Sequence, residues 1–196
     1  MFGSVRGKLK TWITAGAGTV AAILVAGLLG AFGALPKPGL PQFSPDTTIE
    51  TGQWLIKPLR VYLGQERVYG IPVKPDEKAV ILEVEMTNRT AESTKDYFSV
   101  FRPATQLGDP AEQPLIVLTR DLSMSPELQP GLVERMAYIW TLPKDRDLPD
   151  RLSFLVNTQT YKARDNLYGT PGWFNQHAAG TIALPLQTGQ SLGTGL

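Results

Sequence analysis

The most regular pattern of apolar positions lies near the N-terminus. No charged side chain occurs from residue 11 to residue 36, and Arg6, Lys8 and Lys10 stand directly before this stretch. A bilayer core about 30 Å thick needs roughly 20 apolar helical residues, so we predict a transmembrane helix over residues 11–35. Because basic residues favour the cytoplasmic side, residues 1–10 are predicted to form a cytoplasmic N-terminus. The rest of the chain would then lie outside the cytoplasm.

A cleaved signal peptide is the alternative interpretation of this segment. Ala31 and Gly33 are small residues with the spacing of a cleavage site. Signal peptides usually have an apolar region of about 7–15 residues. The apolar run of this chain is longer, which favours a retained anchor. Cleavage of the segment remains the alternative.

Small residues recur every four positions within the predicted helix and therefore share one face. They are Gly18, Ala22, Ala26, Gly30 and Ala34. Such a face lets two helices approach closely in lipid. It predicts either self-association or packing against another membrane protein, although small residues are also common in solitary anchors.

Beyond the helix the pattern changes to short apolar stretches that alternate with turn residues. Val80, Leu82, Val84 and Met86 share one parity, and the positions between them include acidic residues. Period-two alternation indicates a strand with one solvated face. Further strands are predicted around Phe98 and Val100, Leu115–Leu118, Met136–Leu142, Leu152–Val156 and Ile182–Leu186.

The first strand of this region changes parity at Lys57 and Pro58, because Trp54 and Ile56 alternate in one phase and the residues from Leu59 in the other. Proline is confined to edges or bulges of sheets, so we expect a bulged or divided edge strand. In total, about seven strands over residues 49–186 predict an all-β, immunoglobulin-like sandwich of two antiparallel sheets. Residues 36–48 are Pro-rich and predict a stiff spacer. Residues 187–196 are small and polar and predict a disordered tail.

Composition narrows the possible functions. Three of the 19 basic residues precede the span, which leaves 16 against 18 acidic residues, a net charge near −2. Without a basic stripe we expect no nucleic-acid partner. The chain has no cysteine, which excludes disulfides, thiolate metal sites and cysteine nucleophiles. Small secreted domains of eukaryotes often carry disulfides, so we favour the inner membrane of a bacterial cell envelope, with the C-terminal domain periplasmic or otherwise extracytoplasmic.

Several segments carry a family resemblance, namely Lys78–Asn88, Leu128–Gly131, Trp140–Asp145 and Leu152–Val156. Together they resemble the telokin-like, immunoglobulin-type domains of bacterial membrane-anchored proteins and lipoproteins. Members of that group are mostly of unassigned function, so the resemblance implies a fold and an envelope location but no activity. The chain departs from the lipoproteins because it has no cysteine to carry a lipid.

The candidate catalytic and metal-binding residues are sparse. His177 is the sole histidine. A Ser-His-Asp triad would need it as the general base, but the sequence contains no Gly-x-Ser-x-Gly motif to supply the serine nucleophile. Asp145, Asp147 and Asp150 could bind Ca²⁺, but basic residues are interleaved with them. Glu83 and Glu85 share one strand face, where carboxylates usually pair with Lys or Arg of the neighbouring strand. We therefore expect no enzyme activity, no cofactor and no metal.

The strongest functional candidate is the segment from residue 161 to residue 179, which we predict as a long connection without regular structure. Such connections are usually functional or disordered, and disordered segments are poor in aromatic residues. Large aromatic side chains beside Arg and Asn are typical of protein–protein interfaces. The predicted partner-binding residues are Tyr161, Arg164, Asn166, Tyr168, Trp173 and Phe174. The alternative is that Trp173 and Phe174 plug an open end of the sandwich.

These observations predict a single-pass envelope protein that docks a protein partner. It would be a non-catalytic accessory subunit of a membrane assembly or transporter. The alternative is an extracytoplasmic module that binds a ligand or the cell wall through the same segment.

Overall fold

The structure is a computed structural model that describes residues 20, 24, 25, 28, 39–45, 47–104 and 113–187. The chain divides into two compact units, Met1–Gly39 and Leu40–Leu196. In the first unit, four described positions are helical and exposed, namely Val20, Leu24, Val25 and Leu28. Within the described residues, no helix has both the length and the apolar character needed to cross a membrane.

Several predicted features fall outside these ranges. Apart from the four helical positions, the predicted transmembrane helix 11–35 lies outside the described residues, and so does its whole stripe of small residues. Residues 1–10 and the tail from residue 188 also lie outside them.

The described part of the second unit consists almost entirely of β-strands and one 3-10 turn. The strands are β1 (Gln42–Phe43), β2 (Ile49–Glu50), β3 (Trp54–Gly64), β4 (Arg67–Val68), β5 (Ile71–Pro72), β6 (Glu77–Asn88), β7 (Phe101–Pro103), β8 (Leu115–Leu118), β9 (Val133–Pro143), β10 (Arg151–Lys162) and β11 (Gly172–Gln187). The 3-10 turn is Asp96–Ser99.

Seven strands follow one another across one curled sheet in the order β7-β10-β11-β3-β6-β9-β8. Neighbours on this path are antiparallel except β11 and β3, and β1 is also parallel to β11. The two halves of the sheet pack face to face, since the rings of Trp140 in β9 and Phe154 in β10 lie 5.6 Å apart. The described part of the unit is therefore an all-β sandwich, as the alternation of apolar residues predicts.

Strand β11 belongs to both halves of the sandwich. Its middle residues pair with β10 on one side and with Gln42 and Phe43 of β1 on the other. Its last residues, Leu186 and Gln187, pair with β3. One strand thus joins the two halves of the sheet.

The core lies between the two halves and consists of the apolar positions that alternate along the strands. On β6, Val80, Leu82, Val84 and Met86 are completely buried, as their common parity predicts. Burying one such side chain contributes roughly 1.5–3 kcal/mol. The same alternation buries the apolar positions of β9 and β10.

The parity switch in β3 is a bulge, as predicted. The register between β3 and β6 shifts between Pro58 and Arg60. The strand is not an edge strand, because it lies between β11 and β6 on the sheet path. Its pairing with β2 ends at Ile56 and its pairing with β11 begins at Val61, so Pro58 sits where the ladder on that side is interrupted.

A small hairpin covers part of the outer face of the β3-β6-β9-β8 half. Strands β4 and β5 are joined by Tyr69 and Gly70, which both have positive φ, as a tight two-residue hairpin loop requires. Val68 and Val73 pack there against Ile81, Val117 and Ile139 in a second apolar cluster. The hairpin therefore buries a sheet face that would otherwise meet solvent.

Two local predictions were wrong. Residues around Phe98 form the 3-10 turn instead of a strand, because Tyr97 turns inward and stacks on Phe98 at 5.1 Å. The predicted spacer 36–48 is not wholly a spacer, because β1 within it pairs with β11. The sandwich thus begins before the predicted boundary at residue 49.

Candidate functional site

The segment that carries the predicted partner-binding residues is a β-hairpin, not an irregular connection. Strands β10 and β11 pair as far as Lys162 and Gly172, so only residues 163–171 form the turn. Two register shifts, between Val156 and Asn157 and between Thr158 and Thr160, interrupt the ladder. Bulges of this kind bend a strand and increase its twist. We call residues 157–178 the docking hairpin, a name taken from the docking role that the sequence predicts for this segment.

The turn of the docking hairpin is held by one carboxylate. The backbone N–H groups of Leu167 and Tyr168 each donate a hydrogen bond to Asp165 Oδ2 at 2.9 Å. The Gly169 N–H donates to the Asp165 carbonyl at 2.9 Å, and Gly169 has a φ of 72°. The hydrogen bond from Tyr168 is the largest of the effects that lower the Asp165 pKa. This turn has a defined conformation although it is exposed.

The tip presents two large apolar side chains to solvent. Leu167 is 78% exposed and Tyr168 is 77% exposed. Arg164 and Asn166, also predicted as partner-binding, are exposed in the same turn. The hydrogen bonds to Asp165 hold the backbone that carries Leu167 and Tyr168.

The remaining predicted residues lie along the two strands of the docking hairpin. Tyr161 and Trp173 are directly paired across the strands, and their ring centroids lie 5.3 Å apart. Trp173 also covers Gly52, where an added Cβ would lie 3.2 Å from the indole ring. Phe174 follows Trp173 in β11 and lies on the opposite face of the strand. The Lys162 ammonium lies over its ring, 5.5 Å from the ring centre. The six predicted residues thus share one hairpin but not one face.

Sequence reasoning missed Leu167, which is as exposed as Tyr168. The sequence did contain a signal for this turn. Asp side chains accept hydrogen bonds from the N–H groups two or three residues later, and Leu167 and Tyr168 have that spacing from Asp165. An apolar residue within such a turn has nowhere to be buried.

A second group of polar side chains lies on the outer face under the β4–β5 hairpin. Glu83 is only 2% exposed, and its carboxylate accepts two hydrogen bonds from the Arg60 guanidinium at 2.9 Å each. The Tyr62 hydroxyl donates to the same carboxylate at 2.8 Å, and the Tyr69 hydroxyl also donates to it. Because Tyr69 sits in the hairpin loop, Glu83 ties the hairpin to the sheet.

Burial raises the Glu83 pKa, but the hydrogen bonds from Arg60, Tyr69 and Tyr62 together outweigh it, so the net pKa is lowered. Burial raises the pKa of Tyr69 to about 12. The carboxylate is therefore charged and the phenol neutral near neutral pH. This arrangement keeps a buried charge paired.

Pairing of the two β6 carboxylates with basic residues of neighbouring strands is confirmed. Glu83 pairs with Arg60 of β3, and Glu85 pairs with Arg135 of β9 at 3.1 Å. The expectation that both lie on an exposed face was wrong for Glu83, because the β4–β5 hairpin covers it.

The other chemical candidates lie apart from one another. His177 is exposed, and its Nδ1 lies 2.9 Å from the Asn175 carbonyl oxygen. Asp145, Asp147 and Asp150 are exposed. Among the described residues there is no group of three or more His, Asp or Glu side chains that could hold a metal ion.

Comparisons with known proteins are sparse. No protein-family model matches the chain, and no curated protein matches it. Among solved structures, the chain is similar to an uncharacterized β-sandwich protein from Clostridium difficile 630, with 10% sequence identity and a TM-score of 0.47. The match covers 79% of this chain and 100% of that one. The sandwich described above rests on this chain's own strand pairing.

Proposed function

We propose that this chain is a single-pass protein of a bacterial inner membrane whose extracytoplasmic sandwich docks a protein partner through the docking hairpin. It acts as a non-catalytic accessory subunit of a membrane assembly or transporter. The proposal includes the transmembrane helix 11–35 with its N-terminus in the cytoplasm. It also includes kinship of the sandwich with telokin-like, immunoglobulin-type domains.

The observation that carries the docking proposal is the tip of the hairpin. Leu167 and Tyr168 are more than three-quarters exposed, yet Asp165 fixes the backbone that bears them. Ordering side chains at an interface costs free energy, so a turn that is ordered beforehand loses less on binding. Aromatic side chains such as Tyr168 are frequent energetic centres of interfaces.

The anchor proposal is supported by the sequence alone. The charge-free stretch and the basic residues before it have the length and polarity of a retained membrane helix. The stripe from Gly18 to Ala34 gives that helix a face for self-association or for a helix of the partner.

The docking proposal is tested by placing a photo-crosslinking amino acid at Tyr168 of the full chain in intact bacterial membranes. We expect one predominant crosslinked membrane protein. The double variant Leu167→Ser/Tyr168→Ser should lose at least tenfold of the complex recovered in mild detergent, a loss of about 1.4 kcal/mol in binding.

A matched control is the double variant Leu122→Ser/Met124→Ser, which removes exposed apolar side chains from another turn. It should leave the complex intact. Equal loss from both double variants, or no crosslink at position 168, would contradict docking through the hairpin. Release of the chain from these membranes by high salt, or a mature N-terminus near Ala34, would contradict the anchor.

A second candidate function is a ligand- or cell-wall-binding module. It is favoured by the pairing of Tyr161 with Trp173, because Tyr161 remains 54% exposed and offers a ring to a sugar or head group. Titration of the tryptophan fluorescence with cell-wall fragments distinguishes this function from protein docking. An unchanged signal removes it.

A further inference from the structure

A polar recess lies at the base of the docking hairpin, where the hairpin meets the end of the sandwich. Its walls include Gln53, Trp54, Asp96, Ser99, Gln159 and Gln176. Asp96 and Gln176 are exposed, so the recess reaches the surface, whereas Trp54 is 2% exposed. The recess has a volume of about 10 Å³.

Most polar groups in the walls already have partners. Gln53 Nε2 donates to Asp96 Oδ2 at 2.8 Å. Asn157 Nδ2 and Gln176 Nε2 both donate to the Ser99 carbonyl, at 2.8 and 3.4 Å. These bonds fix the walls and leave them little capacity to rearrange.

Two buried atoms in the walls have no hydrogen-bond partner within the part of the chain that the structure describes. They are the donor Trp54 Nε1 and the acceptor Gln159 Oε1. A buried polar group without a partner costs about 1–3 kcal/mol, and the large majority of buried polar groups in folded proteins have a partner. Trp54 and Gln159 both line the recess, and one of these atoms is a donor while the other is an acceptor.

We propose that this recess binds one hydroxyl group, which accepts a hydrogen bond from Trp54 Nε1 and donates one to Gln159 Oε1. A carboxylate oxygen could accept from Trp54 but would face the Gln159 oxygen without a proton to donate. An ammonium group could donate to Gln159 but cannot accept from Trp54. Unlike these two charged groups, an O–H group makes both bonds with one atom.

The size of the recess limits what carries that hydroxyl. A volume of about 10 Å³ is near the minimum that holds one water molecule, roughly 10–15 Å³. The oxygen of a larger alcohol can enter only if its carbon atoms stay at the mouth, beside Asp96 and Gln176. The bound hydroxyl group can thus belong either to a water molecule or to a polyol such as a sugar. The site does not depend on the docking proposal.

The test uses the full chain, labelled with ¹⁵N and kept in mild detergent. The indole N–H signal of Trp54 is assigned with Trp54→Phe, and its magnetisation transfer to water is measured. Glycerol and N-acetylglucosamine are then titrated into the sample. Acetate and methylammonium are the controls, because each is a small ion that can form only one of the two hydrogen bonds. We expect a contact with water in the free chain and a saturable shift of the Trp54 signal with the two polyols only.

The variant Gln159→Leu removes the acceptor and should abolish both effects, while the Trp140 signal reports that the sandwich is still folded. A water contact without any shift by the polyols would overturn the alcohol source and leave water alone. Absence of both effects, or persistence of both in Gln159→Leu, would overturn the site.

Discussion

At the scale of single residues, Glu83 is the most constrained side chain of the outer face. It is buried and holds Arg60, Tyr62 and Tyr69 around one carboxylate. Replacing a buried ion pair by apolar residues can be neutral, but removing one partner leaves the other charge buried and unpaired. The group therefore stabilises the β4–β5 hairpin only while it is complete.

We predict that Glu83→Gln lowers the free energy of unfolding by about 1.5–3 kcal/mol at pH 7, because the partly exposed Arg60 loses charge-assisted hydrogen bonds to the buried carboxylate. Urea unfolding followed by tryptophan fluorescence measures this loss. Glu85→Gln is the matched control, since Glu85 forms a more exposed pair with Arg135; it should cost at most about 1 kcal/mol. Equal losses would show that burial of Glu83 has no energetic consequence.

The lowered pKa of Glu83 also sets the direction of the acid response. A carboxylate whose folded-state pKa lies below its ordinary value of 4.5 stabilises the fold above that pH. This contribution is lost as the pH falls through the lower folded-state pKa. Unfolding curves between pH 3 and pH 7 should therefore be less steeply pH-dependent in Glu83→Gln than in the parent chain.

At the scale of elements, the docking hairpin combines a long regular ladder with an exposed apolar tip. Its isolated two-stranded end has few core contacts, and two-stranded hairpins are marginally stable alone. The turn bonds of Asp165 and the contact of Trp173 with Gly52 therefore decide whether the end holds one shape.

We predict that Asp165→Ala loosens the turn without unfolding the sandwich. The N–H groups of Leu167 and Tyr168 lose their acceptor, so their exchange with deuterium should become severalfold faster. Amide exchange followed by NMR measures this. Asp165→Asn keeps a side-chain oxygen in place and should restore slow exchange; fast exchange in both variants would instead assign the effect to charge.

Sequence reasoning found this element by its aromatic residues but misjudged its structure. The strands there lack an alternating apolar pattern because the hairpin extends past the core, and two bulges break the phase. Sequence reasoning also had no access to the recess at Trp54, whose walls come from Gln53, Asp96 and Gln159, far apart in the chain. By contrast, β6, β8 and β9 follow directly from their apolar residues, since each packs one face on the core.

At the scale of the whole domain, β11 joins the two halves of the sandwich, because it pairs with both β10 and β3. Gly180 of β11 is buried where β1 passes beside it. A Cβ there would lie 2.5 Å from the Pro41 carbonyl oxygen and 2.6 Å from the Phe43 ring. The pairing that draws the predicted spacer into the domain thus needs glycine at this position, which no periodicity reveals.

We predict that Gly180→Ala lowers the free energy of unfolding by about 1–3 kcal/mol, the usual cost of overpacking. Limited proteolysis should also cut residues 40–45 more readily, because β1 would separate from β11. Gly39→Ala is the matched control, since a Cβ there meets no described atom within 4 Å. An unchanged free energy of unfolding in Gly180→Ala would show that β1 can move away from β11 without destabilising the fold.

The position of β11 after all its strand partners along the chain has a consequence for biosynthesis. Its partners, β1, β3 and β10, are all made earlier, and contacts between segments distant in sequence form slowly. Until β11 emerges, Leu152, Phe154 and Val156 of β10 lack the strand that pairs with them. The nascent domain therefore stays open and vulnerable to aggregation until β11 has been made, so a chaperone that shields unfinished chains would raise its yield.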